Sequence, residues 1–349
     1  GKKIMKVKKR LFAGMLALAM LLSLNVTAFA SAPSDGSTVS VSEYPVESVT
    51  LTKTYKLANA DTISPAETFT YTITRVSVTD AADGITKSNM PLPTGTWEVK
   101  YDEGEATIGG VEKEFVVELP EYTSVGIYTY NIHENSSNNA GVAVDSHDVT
   151  MKVTVVNGDD GFDCYVALHK DVMENGEFVN KKINAKDAFE NTYEANKLTF
   201  NKDVQGNLAV PSKDFEFTIT LTAADGVTYA DSYDIVNANS GEVLDTITVS
   251  GTKVINVSEE DGDIAIKNLP YGVTYKIEET NNYDYDKGTV PANAEGTINE
   301  TAQKVTFINT KGAGTIDTGV YLDNLPYIIV FAGVLAAVAV LVIRRRRVD

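Results

Sequence analysis

Residues 215–221 read Phe-Glu-Phe-Thr-Ile-Thr-Leu, and this stretch decides the fold class. Apolar residues alternate with polar ones, so that an extended strand would carry one apolar face. The same period of two recurs at residues 69–73 and 149–155, and clusters of Asn, Asp, Gly and Ser separate such runs. Between the two ends of the chain, no long segment has the period of a helix. The pattern predicts an all-β protein built of β-sandwiches.

The body of the chain also repeats itself. The matching segments are residues 49–53 and 198–202, 69–73 and 215–219, 126–134 and 272–279, and 189–191 and 307–309. A repeat of this length predicts two tandem β-sandwich domains, at residues 47–193 and 194–311. We call them the first domain and the second domain.

A lysine, a glutamate and an asparagine continue the apolar face of their strands in each repeat, because side chains two apart share a face. They are Lys53, Glu134 and Asn191 (the first triad) and Lys202, Glu279 and Asn309 (the second triad). Burial favours an uncharged amine, which is a nucleophile, and a protonated acid, which can donate to an amide oxygen.

These groups suffice for attack of the lysine on the asparagine amide with loss of ammonia, which leaves a Lys–Asn isopeptide bond. The bond would form once per domain, so the protein would not be an enzyme with turnover. The alternative is that each lysine and glutamate is a solvated strand residue or a buried ion pair. Recurrence of the same residue order and facing in both repeats favours the bond.

At this point the chain resembles the two-domain streptococcal major pilins of the Spy0128/FctA type. Residues 268–275, Asn-Leu-Pro-Tyr-Gly-Val-Thr-Tyr, lead to Glu279 as they do in that family. The resemblance implies Ig-like (CnaB-like) sandwiches. It also implies bonds Lys53–Asn191 and Lys202–Asn309, promoted by the catalytic residues Glu134 and Glu279.

The N-terminal residues have the three parts of a secretory leader. A lysine-rich start precedes an apolar run, and Ala28-Phe29-Ala30 is a small-x-small cleavage site. We predict a signal peptide at residues 1–30. The polar, Ser-rich residues 31–46 are predicted to be a flexible lead-in.

The C-terminal residues predict a membrane helix. Residues 326–343 are apolar, near the length that spans a bilayer, and residues 344–349 begin with four arginines that favour the cytoplasmic side. Residues 312–325, upstream of this segment, are predicted to be a linker with a sorting motif. A plain membrane anchor is the alternative.

The predicted motif is Thr315-Ile316-Asp317-Thr318-Gly319. Its place before an apolar run and a basic tail resembles the cell-wall sorting signal of Gram-positive surface proteins, which sortases cut between Thr and Gly. The cut would fall between Thr318 and Gly319. Thr315-Ile316 stands where the usual motif has Leu-Pro, so the pattern leaves open which sortase reads it.

Polymerisation by a sortase also needs an acceptor amine. In the pilins that this chain resembles, a lysine lies about seven residues before the bonding asparagine. Asn184 occupies that place here, and Lys186 and Lys182 flank it. These two lysines are the candidate inter-subunit acceptors.

Composition excludes several classes of function. The formal net charge of −18 disfavours nucleic-acid binding. The single cysteine cannot form a disulfide within the chain. The 3 histidines lack metal-ligand spacing, and no motif suggests a cofactor or a metal.

Together these features predict a structural subunit of a sortase-assembled pilus on the surface of a Gram-positive cell. Its partners would be sortase, other copies of itself, and minor pilins or peptidoglycan. It would contact the plasma membrane only as a precursor before sorting to the cell wall. The alternative is a monomeric wall-anchored adhesin with the same domains, while a secreted hydrolase lacks any candidate constellation.

Overall fold

The computed structural model describes residue 42, residues 44–312 and residues 330–331, 333–335, 337–338 and 340. The predicted signal peptide, most of the lead-in, the sorting motif and the basic tail lie outside these residues. The described residues between Val330 and Val340 are helical. In the part of the chain that the structure describes, no helix has both the length and the apolar character needed to cross a membrane.

Residues 44–193 form ten strands in two sheets. The strands are β1 (Ser48–Leu57), β2 (Glu67–Thr79), β3 (Trp97–Tyr101), β4 (Val111–Glu118), β5 (Gly126–Glu134), β6 (Val142–Ala143), β7 (Val149–Gly158), β8 (Gly161–Glu174), β9 (Glu177–Ile183) and β10 (Phe189–Tyr193). One sheet has the order β4-β1-β10-β6 and the other β3-β2-β5-β7-β8-β9. A short 3₁₀ turn, Ala185–Asp187, precedes β10.

Residues 195–310 form ten more strands, again in two sheets. They are β11 (Ala195–Gln205), β12 (Phe215–Thr222), β13 (Tyr233–Asn237), β14 (Val243–Ile247), β15 (Thr252–Val257), β16 (Ile264–Pro270), β17 (Thr274–Asn281), β18 (Asp286–Lys287), β19 (Glu295–Thr297) and β20 (Gln303–Thr310). The sheet orders are β14-β13-β16-β11-β20-β18 and β15-β12-β17-β19. The prediction of an all-β protein is confirmed.

Aromatic side chains fill the space between the two sheets of each half. Tyr71 of one sheet stacks on Phe115 of the other, with ring centroids 4.1 Å apart. In the second half, Phe217 meets Phe307 edge-on at 5.1 Å. These contacts arise because the alternating pattern turns one face of every strand inward.

The first and last strands of each half are parallel neighbours. In the β1–β10 pair, Lys53 lies opposite Phe189. In the β11–β20 pair, Lys202 lies opposite Phe307. The asparagine of each triad therefore lies two residues beyond the position opposite the lysine, on the same face. This register brings the lysine and the asparagine of each triad to neighbouring strands.

The connection between the two halves is one residue, Glu194, because β10 ends at Tyr193 and β11 begins at Ala195. The N–H of Glu194 donates to the carbonyl oxygen of Gly141 at 2.6 Å, and its carbonyl oxygen accepts from Tyr271 N–H at 3.0 Å. The backbone at the junction is therefore held from both sides. The domain boundaries themselves stay a prediction.

The described end of the lead-in lies along β8. Ser42 N–H donates to the carbonyl oxygen of Val166 at 3.3 Å, and Val46 N–H donates to that of Cys164 at 2.9 Å. The lead-in therefore covers part of a strand edge that would otherwise be open to another chain.

Candidate functional site

The first triad lies inside the first sandwich. Lys53 comes from β1, Glu134 from the end of β5 and Asn191 from β10. Lys53 and Asn191 are fully buried, and Glu134 is 3% exposed. The structure therefore brings together, away from water, three polar residues that the sequence predicts to share a site.

Glu134 bridges the two nitrogen atoms of the first triad. Lys53 Nζ donates to Glu134 Oε1 at 2.7 Å and to Oε2 at 2.8 Å, and Asn191 Nδ2 donates to Oε1 at 2.6 Å. Asn191 Oδ1 instead accepts from the backbone N–H of Asp145 at 2.8 Å. The sequence predicts that Glu134 faces the amide oxygen; in the structure it faces the amide nitrogen, because a backbone donor occupies the oxygen.

The surroundings of Lys53 are apolar. Its Nζ lies 4.3 Å from the centroid of the Phe69 ring. Burial lowers the pKa of Lys53 to about 8, although the charge of Glu134 opposes the shift. Burial also raises the pKa of Glu134, against the opposing effect of Lys53. Both shifts favour the uncharged forms of an amine and an acid.

The second triad occupies the corresponding place in the second sandwich. Lys202 is 2% exposed, Glu279 5% and Asn309 0%. Asn309 Nδ2 donates to Glu279 Oε1, while Lys202 Nζ lies 3.5 Å from the same oxygen. Lys202 Nζ is also 4.4 Å from the centroid of the Phe215 ring. Burial lowers the pKa of Lys202 to about 8.

The hydrogen bonds of the second triad are less complete than those of the first. Lys202 Nζ, Glu279 Oε2 and Asn309 Oδ1 are buried and have no hydrogen-bond partner among the described residues. The second triad therefore has the residues of the first without its backbone donor.

Neighbouring charged residues face the other way. Lys56 pairs with Glu190 on the exposed side of β1 and β10. In the second domain, the exposed Glu278 pairs with Lys276 at 2.8 Å. The facing that the strand period predicts thus distinguishes the triad residues from charged residues one or three positions away.

The arrangement contains a complete set of groups for amide exchange. A buried amine, an acid and a carboxamide adjoin one another, and the acid contacts both the incoming and the departing nitrogen in the first triad. A carboxyl group in that place can accept a proton from one nitrogen and give one to the other. No cluster of three or more His, Cys, Asp or Glu that could hold a metal occurs among the described residues.

A comparison with known families covers both halves of the chain. Residues 49–194 match the profile described as "Spy0128-like isopeptide containing domain". The first domain is therefore similar to this family. Residues 196–311 match a different profile, described as "Domain of unknown function (DUF7601)". The Spy0128-like match therefore covers the first triad, and the match without a functional description covers the second triad.

Proteins that match this chain include a pilin and a pilus tip adhesin. A "Pilin" from Streptococcus pyogenes serotype M1 is 26% identical over 307 residues, which cover 80% of this chain and 85% of that protein. The "Pilus tip adhesin Cpa" of Streptococcus pyogenes is 34% identical over 98 residues, 28% of this chain and 13% of the adhesin. A solved major pilin (T3.2) from Streptococcus pyogenes serotype GAS13637 aligns with a TM-score of 0.47 and 20% identity, over 78% of this chain and 99% of that one. The Spy0128-like domain thus occurs here in a chain that is similar to a pilin along most of its length.

The two candidate acceptor lysines precede β10 in the chain. Lys186 sits in the 3₁₀ turn, its side chain is 68% exposed, and its Nζ lies 3.2 Å from Glu112 Oε1. Lys182 lies on β9 and is only half-exposed. Thr318 and Gly319 lie outside the described residues. Of the two lysines, Lys186 is the more accessible amine.

Sequence reasoning missed two residues next to the first triad. Asp145 lies between β6 and β7 and supplies the backbone donor to Asn191. Lys170 lies on β8, where it is 9% exposed and pairs with the Asp145 carboxylate. The alternation of Val166 and Leu168 continues to Lys170, a signal that could have found this lysine. No periodic signal points to Asp145, because it lies in a loop.

Proposed function

We propose that this protein is a structural subunit of a sortase-assembled surface pilus, in which each domain is closed by a self-generated Lys–Asn isopeptide bond. The similarity to a pilin over 80% of the chain supports a subunit of a pilus at the cell surface. The single observation that carries the bond is the buried contact of Glu134 with both Lys53 and Asn191.

Each bond would be made once, inside its own folded domain. Lys53 would attack Asn191, and Lys202 would attack Asn309, with Glu134 and Glu279 as the acids that promote the two reactions. Because the acid is restored and the amine is consumed, the protein would act on itself in a single turnover and not as an enzyme.

The position of the bonds suits a shaft that carries tension. A bond between β1 and β10 would transmit a pull from Lys53 directly to Asn191, so that residues 54–190 would carry no load. The pull would then pass through Glu194 to Lys202 and across the second bond to Asn309. By analogy with a disulfide, closing a loop of about 140 residues also stabilises the folded domain by roughly 5 kcal/mol, because it lowers the conformational entropy of the unfolded chain.

Polymerisation would use the ends of the chain. Sortase would cut after Thr318 and join its carbonyl carbon to a lysine of the next subunit. The exposure of Lys186 supports it as the acceptor, ahead of Lys182. The last subunit would be transferred to a minor pilin or to peptidoglycan.

A second candidate function is that of a monomeric wall-anchored adhesin. The observation that favours it is the 34% identity to a pilus tip adhesin over 98 residues. The match covers only 13% of that adhesin, whereas the pilin match covers 85% of the pilin. Boiling-resistant ladders on denaturing gels of the producing cells would support the shaft, and loss of the ladder in Lys186→Arg would identify the acceptor.

The bonds are tested by the intact mass of the chain produced in the cytoplasm of a laboratory host. Two bonds remove two ammonia molecules, about 34 Da in all, from the mass that the sequence gives. Glu134→Ala and Glu279→Ala should each restore about 17 Da, since each removes the acid of one reaction. Glu278→Ala is the matched control, because Glu278 neighbours Glu279 but faces solvent.

Peptide mapping assigns each loss to a lysine and an asparagine. The expected cross-linked peptides join Lys53 to Asn191 and Lys202 to Asn309. If the unmodified chain has the full mass that its sequence gives, without loss of ammonia, the proposal of self-generated isopeptide bonds is overturned. The similarity to a pilin would not be affected by that result.

A further inference from the structure

The amide oxygen of Asn191 has a hydrogen-bond donor that the glutamate does not supply. The backbone N–H of Asp145 lies 2.8 Å from Asn191 Oδ1, and the amide nitrogen on the other side is bound to Glu134 at 2.6 Å. Attack of an amine on the amide carbon drives negative charge onto this oxygen. A fixed backbone donor aimed at that atom is the arrangement that stabilises an oxyanion.

The Asp145 carboxylate holds the donor in place. Its Oδ2 accepts from Lys170 Nζ, and its Oδ1 accepts from the backbone N–H of His147 at 3.0 Å. The Glu190 N–H, one residue before Asn191, lies 3.5 Å from Oδ2. The loop is therefore tied to the strand that carries the reacting asparagine.

Lys170 adds a third point of attachment. Its Nζ also donates to the carbonyl oxygen of Ala188 at 2.8 Å, so that it links the Asp145 loop to the segment leading into β10. The side chains of Lys170 and Asp145 are 11% and 10% exposed. Burial by itself would raise the pKa of Asp145, but the hydrogen bond and charge of Lys170 hold that pKa below its usual value. The pair is thus a largely buried attachment between the Asp145 loop and β8.

The second domain provides the contrast. Asn309 Oδ1 is buried and has no hydrogen-bond partner among the residues described. The same residue triad therefore exists with the backbone donor in one domain and without it in the other, within a single chain.

We infer that the Asp145 backbone N–H is the oxyanion donor for isopeptide formation in the first domain, and that the Asp145–Lys170 ion pair positions it. The inference rests on the proposed function, because it concerns the same bond. Asp145 acts on the reacting atoms through its backbone, whereas its carboxylate and Lys170 are positioning groups.

The neutral Lys53 Nζ forms a bond to the Asn191 amide carbon, and the carbonyl electron pair moves to Oδ1, where the Asp145 N–H faces it. Glu134 gives its proton to Nδ2 and takes one from Nζ. The carbon–Nδ2 bond then breaks, the carbonyl re-forms, and one ammonia leaves while Glu134 is again protonated.

The test follows bond formation in the full chain collected unfolded from inclusion bodies, whose full sequence mass shows that neither bond has yet formed, after dilution from denaturant. Folding of the first domain is read from the fluorescence of Trp97, which is the only tryptophan of the chain and lies on β3. Quenched samples give the amounts of the two cross-linked peptides. The Lys202–Asn309 bond forms in the same molecule and serves as the internal control.

Three variants separate the donor from its positioning. Asp145→Pro with Lys170→Met removes the N–H, and should slow the first bond by about 100-fold. Asp145→Ala with Lys170→Met keeps the N–H but frees the loop, and should slow it by about tenfold. Asp145→Asn keeps the backbone N–H and one side-chain acceptor, which can serve the His147 N–H, and should slow the first bond by no more than about threefold. In all three variants the second bond should keep its rate.

If Asp145 and Lys170 only stabilise the fold, every variant that reaches the native Trp97 fluorescence should form the first bond at the same rate. A first bond formed at the unmodified rate in the folded proline variant overturns the inference. If the proline variant does not fold, the unmodified rate in the alanine variant overturns it instead. Absence of the first bond from the unmodified chain would be a failure of the proposed function, and it is seen before any variant is made.

Discussion

The first and second triads have the same residues in the same strand register but differ in their hydrogen bonds. In the first, Glu134 binds both nitrogens and a backbone N–H binds the amide oxygen. In the second, the lysine nitrogen, one carboxylate oxygen and the amide oxygen have no hydrogen-bond partner among the described residues, although Lys202 Nζ lies 3.5 Å from Glu279 Oε1. The two sites therefore share their strand pairing but differ in how many of their polar atoms are hydrogen-bonded.

The difference separates what the sheet provides from what a loop provides. In both halves the lysine lies opposite a phenylalanine, Phe189 or Phe307, and the asparagine follows two residues later. In both halves the amine lies near the ring of another phenylalanine, Phe69 or Phe215. Strand register and apolar packing thus assemble the reacting groups, and the loop that carries Asp145 adds the donor in one domain only.

The largest expected effect comes from removing the two asparagines one at a time. Asn191→Ala and Asn309→Ala should each lower the free energy of unfolding of their domain by about 5 kcal/mol, because the open loops of about 140 and 110 residues differ little in closure entropy. Asn191→Ala should cost a further 1–3 kcal/mol or so, because it leaves the buried N–H of Asp145 without its acceptor. Asn309 Oδ1 has no such partner to lose.

Hydrogen exchange of the full chain in a urea series, resolved by peptide, measures the stability of both domains in one sample. Asn180→Ala is a matched control, since this asparagine lies on β9 and its side chain donates to Asp171 Oδ1 at 2.8 Å on the exposed surface. An equal or greater loss in Asn309→Ala would contradict the role given to the Asp145 N–H.

A pH series should next show what the two sites share. The reactive pair holds one proton, with a neutral amine and a protonated acid. Since burial lowers the pKa of Lys53 and that of Lys202 to about 8, both pairs lose this proton as the pH rises through about 8. We expect the rate of each bond to fall about tenfold per pH unit above that value.

The first bond should also slow at low pH. The pKa of Glu134 is raised by burial, and once the pH falls below it the pair holds a second proton and Lys53 is charged. The measurement is dilution of the unfolded chain, still without either bond, into buffers from about pH 5 to 10 and quantification of both cross-linked peptides, with Trp97 fluorescence as the control for folding. A rate that keeps rising up to pH 10 would contradict the requirement for a protonated acid.

The strand pattern predicts much of this molecule because its signal is local. A period of two identifies strands and the facing of Lys53 and Glu134, since the alternation depends only on backbone geometry. The repeat then predicts the second triad. Parallel pairing of the first and last strands follows from the expected fold and not from any local pattern.

The hydrogen-bonding of the sites could not be predicted in the same way. The donor to Asn191 comes from Asp145, in a loop whose residues show no alternation, and its position depends on contacts with Lys170 on another strand. The orientation of the Asn191 amide, with its nitrogen toward Glu134, depends on that donor in turn. Such contacts arise from tertiary packing, which a pattern along the chain does not encode.

The smallest expected effect is from Lys56→Met, on the same strand as Lys53 and three residues away. The Lys56 and Glu190 side chains pair across β1 and β10 but are 34% and 55% exposed. Exposed ion pairs contribute about 0–1 kcal/mol, so we expect a loss of at most about 1 kcal/mol in the free energy of unfolding.

The second domain supports this expectation, because Gln205 and Ile308 occupy the corresponding positions on β11 and β20 and the triad is nevertheless assembled. Intact mass and hydrogen exchange of Lys56→Met check the prediction, with Glu190→Gln as its counterpart. If the facing of the strand decides which lysine reacts, both variants lose the full two ammonia molecules. A mass higher by about 17 Da in Lys56→Met would mean instead that Lys56 supplies the amine, and the comparison of the two buried triads would lose its basis.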